Sequence, residues 1–135
     1  MTTTVADTHR DLLDSPFATL ATIGPDGRPQ LSEIWFLADG DDIRLSFTTT
    51  RQKTKNLATN PAATLFILDL ANPMRYLEIR GDAHITPDPD YTFANQLAAK
   101  YGHSIDLREM DGPGQTRVTV TLHPTHIVAV DMTAE

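Results

Sequence analysis

The chain has 135 residues, 40% hydrophobic and 21% charged, with a formal charge of −7 and no cysteine. That size and composition fit one globular domain with its own core, while the acidic balance and lack of a basic stripe argue against a nucleic-acid partner. The absent thiols exclude disulfides, thiolate metal sites and cysteine nucleophiles.

The segment VADTHRDLLD (5–14) reads as a short N-terminal helix or arm, closed by Pro16. It is acidic where a signal peptide is basic, and no later run reaches the roughly 20 apolar residues that span a bilayer. The expectation is a cytoplasmic protein with no membrane span. Residues 17–23 then form an apolar, β-branched strand, and GPDGRP turns the chain, Asp26-Gly27 supplying the positive φ of a hairpin. Strands are expected over 30–37 and 43–48. In the latter Ile43, Leu45 and Phe47 alternate with Arg44, Ser46 and Thr48, the signature of a sheet with one apolar face. These three strands read as an antiparallel meander. A short helix follows over 51–59, with the hydroxyls of threonines 48–50 available as caps and Asn60-Pro61 as its stop.

Strands over 63–69 and 75–86 come next, with Gly81 marking a bulge or bend in the longer one. A helix over 90–100 carries Phe93, Leu97 and Tyr101 on one side, and a polar loop contains Asp111-Gly112-Pro113-Gly114. Strands over 117–122 and 127–130 end the chain. Seven short strands with two or three small helices specify a mainly β, barrel-like fold over residues 1–135 as a single domain.

The stretch TTTRQKTKN (48–56) concentrates charge: it holds two of the chain's three lysines, beside Arg51. Cations are disfavoured in a helix's first turn, where backbone N–H groups already carry partial positive charge. Arg51 and Lys53 there suit an anion, above all a phosphate, bound at the helix N-terminus; a solvated basic helix is the alternative. On this helix Lys53, Asn56 and Leu57 share one face, with Leu57 as the anchor to the core.

Other chemistries find no support. The five histidines have no helical i, i+4 pair, so no metal site is expected, and His123 and His126 are read as facing solvent or each other. No G-x-S-x-G accompanies the serines and no G-x-G-x-x-G is present. Trp35, Phe47 and Tyr76 read as core residues. Glu78 and Arg80 alternate with Leu77 and Ile79 and so line an exposed or subunit-facing side of their strand.

The segments LATIGPDGRPQLSEIWF (20–36), IRLSF (43–47), TTTRQKTKNLATNPAATLFI (48–67) and YLEIRGDAHIT (76–86) resemble the pyridoxamine-phosphate-oxidase-like, FMN-binding split β-barrel superfamily. Within it, the sequence is similar to actinobacterial oxidoreductases that use the deazaflavin coenzyme F420. The most specific part is G-R-P-Q-x-S followed by R-x-K-x-x-N-L and N-P. The resemblance implies a split β-barrel of six to seven antiparallel strands in Greek-key-like order, and a homodimer with cofactor sites at the subunit interface. It further implies that Arg51 and Lys53 bind the cofactor phosphate with donors from Thr48 and Thr49, that Gln30 and Ser32 lie beside the ring, and that Asn56 is structural.

The activity so implied is hydride transfer from reduced F420 to a conjugated organic small-molecule acceptor. FMN in place of F420, or a carrier that binds either cofactor without turnover, are the alternative readings. Tyr76, Glu78, Tyr101 and His103 are the choices of proton donor beside solvent, and no catalytic residue is assigned among them. Loops 69–75 and 102–115 are expected to shape the acceptor pocket.

Overall fold

The computed structural model describes residues 3–104 and 106–133. Residues 1–2 of the expected arm, residue 105 of the expected loop and residues 134–135 of the expected domain lie outside them. A 3₁₀ helix, Asp7–Asp14, is followed by strands β1 (Ala18–Ile23), β2 (Pro29–Ile34), β3 (Leu37–Asp39) and β4 (Asp42–Thr48) and helix α1 (Gln52–Thr59). Strands β5 (Ala62–Leu68) and β6 (Arg75–Pro87), helices α2 (Thr92–Lys100) and α3 (Leu107–Asp111), and the long strand β7 (Arg117–Asp131) complete the chain. The short α3 lies where the sequence suggested only loop. No helix among the described residues is long and apolar enough to cross a membrane.

All strands join one antiparallel sheet in the order β2-β1-β5-β6-β7-β4-β3. The expected meander is therefore corrected. The predicted strand over 30–37 is broken at Trp35-Phe36 into β2 and β3, which occupy opposite edges of the sheet. Because only those two residues connect the edges, the sheet must roll up until the ends of β2 and β3 nearly meet. The result is a barrel closed by a covalent link instead of a hydrogen-bonded ladder, a split β-barrel. The break also satisfies packing: Ile34 and Phe36 both enter the core, at 5% and 0% exposure, and Trp35 between them points the other way.

The expected last two strands are one, β7, irregular where β6 shifts register between Arg80 and Gly81. A Cβ at position 81 would lie 2.2 Å from the carbonyl oxygen of His123, so only glycine permits this approach. Inside, Leu20, Ile43, Leu45, Leu65, Ile67, Leu77, Ile79, Val120 and Leu122 are at most 1% exposed. Burial of each such side chain contributes about 1.5–3 kcal/mol.

Helix α1 is fastened to the barrel by one polar residue. Asn56, 3% exposed, donates from Nδ2 to Gln30 Oε1 (3.0 Å) and Thr22 Oγ1 (3.1 Å) and accepts from Gln52 Nε2 (2.8 Å). It ties α1 to β1 and β2, while Leu57 enters the core beside it at 3% exposure. Helix α2 begins at Tyr91, held at φ 58°, and its first turn is capped by Asp88, whose carboxylate accepts from the N–H groups of Phe93 (3.3 Å) and Ala94 (2.9 Å). At its other end Lys100 donates to the carbonyl of Phe36 (2.7 Å), pinning α2 to the break between β2 and β3.

Candidate functional site

A cleft of about 940 Å³ opens between the start of α1, strand β4, the residues around the β2–β3 break and the α2–α3 segment. Its volume lies in the range of small-molecule and cofactor sites. The basic segment stands at its wall. Arg51 is the N-cap residue of α1, with φ −71° and ψ 140°, and Lys53 lies in the first turn, which contains no acidic residue. The threonine hydroxyls do not cap this helix: no side chain bonds its first N–H groups. Thr48 Oγ1 instead meets Thr50 Oγ1 (3.1 Å), and Thr54 Oγ1 donates back to the carbonyl of Thr48 (2.8 Å).

Lys53 is the better defined cation. Its ammonium lies 3.4 Å from Ser32 Oγ and 4.8 Å from the centroid of the Phe47 ring, which itself lines the cleft. Burial, and then repulsion from Arg51, hold its pKa below the ordinary lysine value of 10.5. Among the described residues neither Arg51 nor Lys53 makes an ion pair. Two cations that repel each other at the wall of a cleft, beside helix N–H groups that no side chain caps, fit an anionic phosphate group.

The expected site residues divide. Thr48, Arg51 and Lys53 line the cleft, and Ser32 touches Lys53 from β2. Gln30 does not line it; its amide oxygen is taken by Asn56 and by Thr22 Oγ1 (3.3 Å). Thr49 is exposed outside the lining, and its N–H donates to the carbonyl of Thr116 (2.9 Å). Of the two loops expected to shape an acceptor pocket, only 102–115 contributes, through His103, Leu107, Met110, Asp111 and Gln115.

Part of the lining carried no signal in the sequence reading. Arg117, at the start of β7, makes a two-pronged pair with Asp111 of α3, Nε to Oδ2 at 2.7 Å and Nη2 to Oδ1 at 2.9 Å. Its remaining arm donates to the carbonyl (3.2 Å) and hydroxyl (3.3 Å) of Ser46, and Tyr91 OH donates to Asp111 Oδ2 (2.7 Å). The guanidinium beside Asp111 holds that carboxyl below the usual range, and burial followed by the Asp111 bond raises Tyr91. This covering buries Ser46 and Thr48, at 9% and 8% exposure, although strict alternation placed them on a polar face. Trp35 is not a core residue: half-buried, it lines the cleft, stacked on Tyr101 (centroids 4.2 Å apart, planes at 8°) and His103 (5.4 Å, 20°). His123 faces Asp42 (3.2 Å) instead of His126, and no cluster among the described residues could hold a metal ion.

The fold agrees with comparison to known proteins. The family described as Pyridoxamine 5'-phosphate oxidase matches residues 5–131. The chain belongs to that family. Among solved structures of the same fold, an F420 reductase is 36% identical, with a TM-score of 0.79 over 92% of this chain and 98% of that one. A conserved hypothetical protein from Mycobacterium tuberculosis is 25% identical, with a TM-score of 0.77 over 94% and 85% of the two chains. HupZ from Group A Streptococcus, at 17% identity and a TM-score of 0.72 over 97% and 98%, shares the architecture only. For a pyridoxamine 5'-phosphate oxidase family member, the G-R-P-Q-x-S and R-x-K-x-x-N-L segments converge in space: Gln30 meets Asn56, and Ser32 meets Lys53.

Proposed function

We propose that this protein is an F420-dependent oxidoreductase: a single domain over residues 1–135, acting as a cytoplasmic homodimer, that reduces a conjugated organic acceptor by hydride transfer. The observation that carries this reading is the pair Arg51 and Lys53, two cations that line a cofactor-sized cleft and make no ion pair among the described residues. Family membership supports an oxidoreductase of the flavin or deazaflavin type, and the 36% identity to an F420 reductase favours the deazaflavin.

In this reading Arg51 and Lys53 bind the cofactor's phosphate, with hydroxyl or backbone donors from Thr48 and Thr49. Ser32 and Gln30 act from the ring side, Ser32 beside Lys53 and Gln30 through its fixing of α1 by Asn56. When bound, reduced deazaflavin supplies the hydride. The protein's own part is to align the reactants and to exclude water with the α2–α3 segment.

The partner subunit belongs on the outward face of β2-β1-β5-β6-β7. The register sets Glu33, Thr19, Phe66, Glu78 and Val128 in one row across that face, and Leu31 on it is 65% exposed. Because Glu33 also lines the cleft, a second copy seated there would stand at the edge of the cofactor site.

Trp35, the chain's single tryptophan, lines the cleft and reports on its contents. Titration of the purified protein with oxidised F420 and, separately, with FMN is expected to change Trp35 fluorescence at micromolar F420 and not at equal FMN. Tight binding of FMN alone would move the protein to the FMN reading. Binding of neither would return the basic segment to a solvated helix, and tight F420 binding without oxidation of F420H2 by any enone or quinone would leave a carrier.

A further inference from the structure

Reduction of a conjugated double bond by a hydride leaves the acceptor one proton short, and the origin of that proton is open. Each group considered at the sequence level meets a different fate within the protomer. Tyr76 packs against Phe66 on the outward sheet face, with ring centroids 5.0 Å apart. Glu78 is paired with Arg80 on the same face. The hydroxyl of Tyr101 is engaged with the backbone of Phe36, 3.2 Å from its nitrogen and 3.4 Å from its oxygen. Only His103 of the four lines the cleft.

The other ionisable groups of the cleft are poor candidates. Arg117 is committed to Asp111 and Ser46, and Arg51 stands beside Lys53 as an anion-binding cation in the reading above. Asp111 is locked as a carboxylate by Arg117 and Tyr91, Glu33 is held by the Thr19 hydroxyl, and Lys53 carries the charge an anion needs. Imidazole both gives and takes a proton near neutrality. His103 also has the placement: it follows Gly102, at φ 78°, and its N–H closes the end of α2 on the carbonyl of Ala98 (3.1 Å). Its ring lies against Trp35, while neither ring nitrogen has a hydrogen-bond partner among the described residues. A main chain fixed by a helix terminus, a ring steadied by stacking at the lining of a cleft and ring nitrogens not engaged by other described residues are the properties of a proton donor.

We infer that His103 is a catalytic residue, the general acid that protonates the acceptor as it receives the hydride. This rests on the reductase reading above. The hydride forms a C–H bond at the far carbon of the conjugated system, and the electron pair of the double bond moves toward the acceptor's carbonyl. There or at the adjacent carbon a new O–H or C–H bond forms as an imidazolium N–H bond breaks. The acceptor leaves with two added hydrogens and neutral His103 regains its proton from solvent, which receives in turn the proton that a reduced deazaflavin gives up along with the hydride on oxidation. The other charged groups lining the cleft with His103 are Glu33, Arg51, Lys53, Asp111 and Arg117, and Tyr101, which stacks on Trp35, lies outside the lining.

The test compares the wild-type protein with His103→Gln. In the cofactor-free protein, acid titration of Trp35 fluorescence should show a quenching step as the stacked imidazole gains a proton, absent in the variant; no such difference would overturn the inference. Oxidised F420 should bind both proteins within twofold. In single turnovers of F420H2 with cyclohex-2-enone, the variant should be slower by about 100-fold at neutral pH. The wild-type rate should fall as the pH rises through the imidazole titration, the variant's should stay flat, and added free imidazole should restore part of it. A variant as fast as wild type would overturn the role of His103 alone, whereas failure of F420 to bind the wild-type protein would overturn the reductase reading and this role with it.

Discussion

Lys53 shows how one side chain is prepared for a ligand. Its pKa is lowered because burial and Arg51 both penalise its charge, so an arriving anion gains the attraction and also relieves that penalty. Truncation to alanine should weaken F420 binding by about 1.5–3 kcal/mol, the scale of a charged hydrogen bond, which calorimetry would measure. The depression also sets a pH dependence. Cofactor affinity should decline in the alkaline range before the ordinary lysine value of 10.5 is reached, and Lys53→Arg should remove that decline. Asp111 works the other way. Its depressed pKa means that the Arg117 pair adds stability above the ordinary carboxylate pKa, and that this is lost as pH falls through the depressed value. With side-chain exposures of only 11% and 16%, the pair is poorly screened by solvent. Asp111→Asn should cost about 2–3 kcal/mol at neutral pH in urea unfolding, and the gap to wild type should close in acid.

At the level of elements, specific polar and steric contacts hold the pieces in place. For α1 the contact is Asn56, which spans β1 and β2; a leucine there would leave the Gln30 amide and Thr22 hydroxyl without their partner. For α2 it is the Asp88 carboxylate on the first turn and Lys100 on the last. For β6 and β7 it is Gly81, where the strands come too close for any side chain. Gly81→Ala would drive a Cβ into backbone, not into a side chain that could rotate away. A loss of about 2–3 kcal/mol, the range for overpacking, is expected in thermal or denaturant unfolding. The glycine was legible as a bulge in the sequence because it interrupts a strand pattern, but its partner, the His123 carbonyl, was not. That contact depends on a register set by the whole β6–β7 ladder.

For the whole molecule, the outward face of β2-β1-β5-β6-β7 carries Leu31, Phe66 and Val128 beside the Glu78–Arg80 pair. Leu31→Asp should convert the proposed dimer into monomers in light scattering coupled to size exclusion, and should weaken F420 binding if the partner completes the site. Local patterning alone missed the break at Trp35-Phe36 and the continuity of β7 but located most of the strand-forming segments, the two longer helices, the Gly81 irregularity and the cations Arg51 and Lys53 at a helix start. Those follow from periodicity, turn chemistry and helix-terminus charge, which act over a few residues. Long-range pairing decided the rest. Strands β2 and β3 are joined by two residues, yet one lies at each edge of the sheet, because β4 pairs with β7 and not with β2. The same closure turns Trp35 out of the core and brings the segment carrying His103, Asp111 and Arg117 to one cleft with Trp35, Arg51 and Lys53, from which it is distant in sequence. Single residues there carry no local signature, since an exposed histidine or a loop aspartate reads the same until the fold supplies its neighbours.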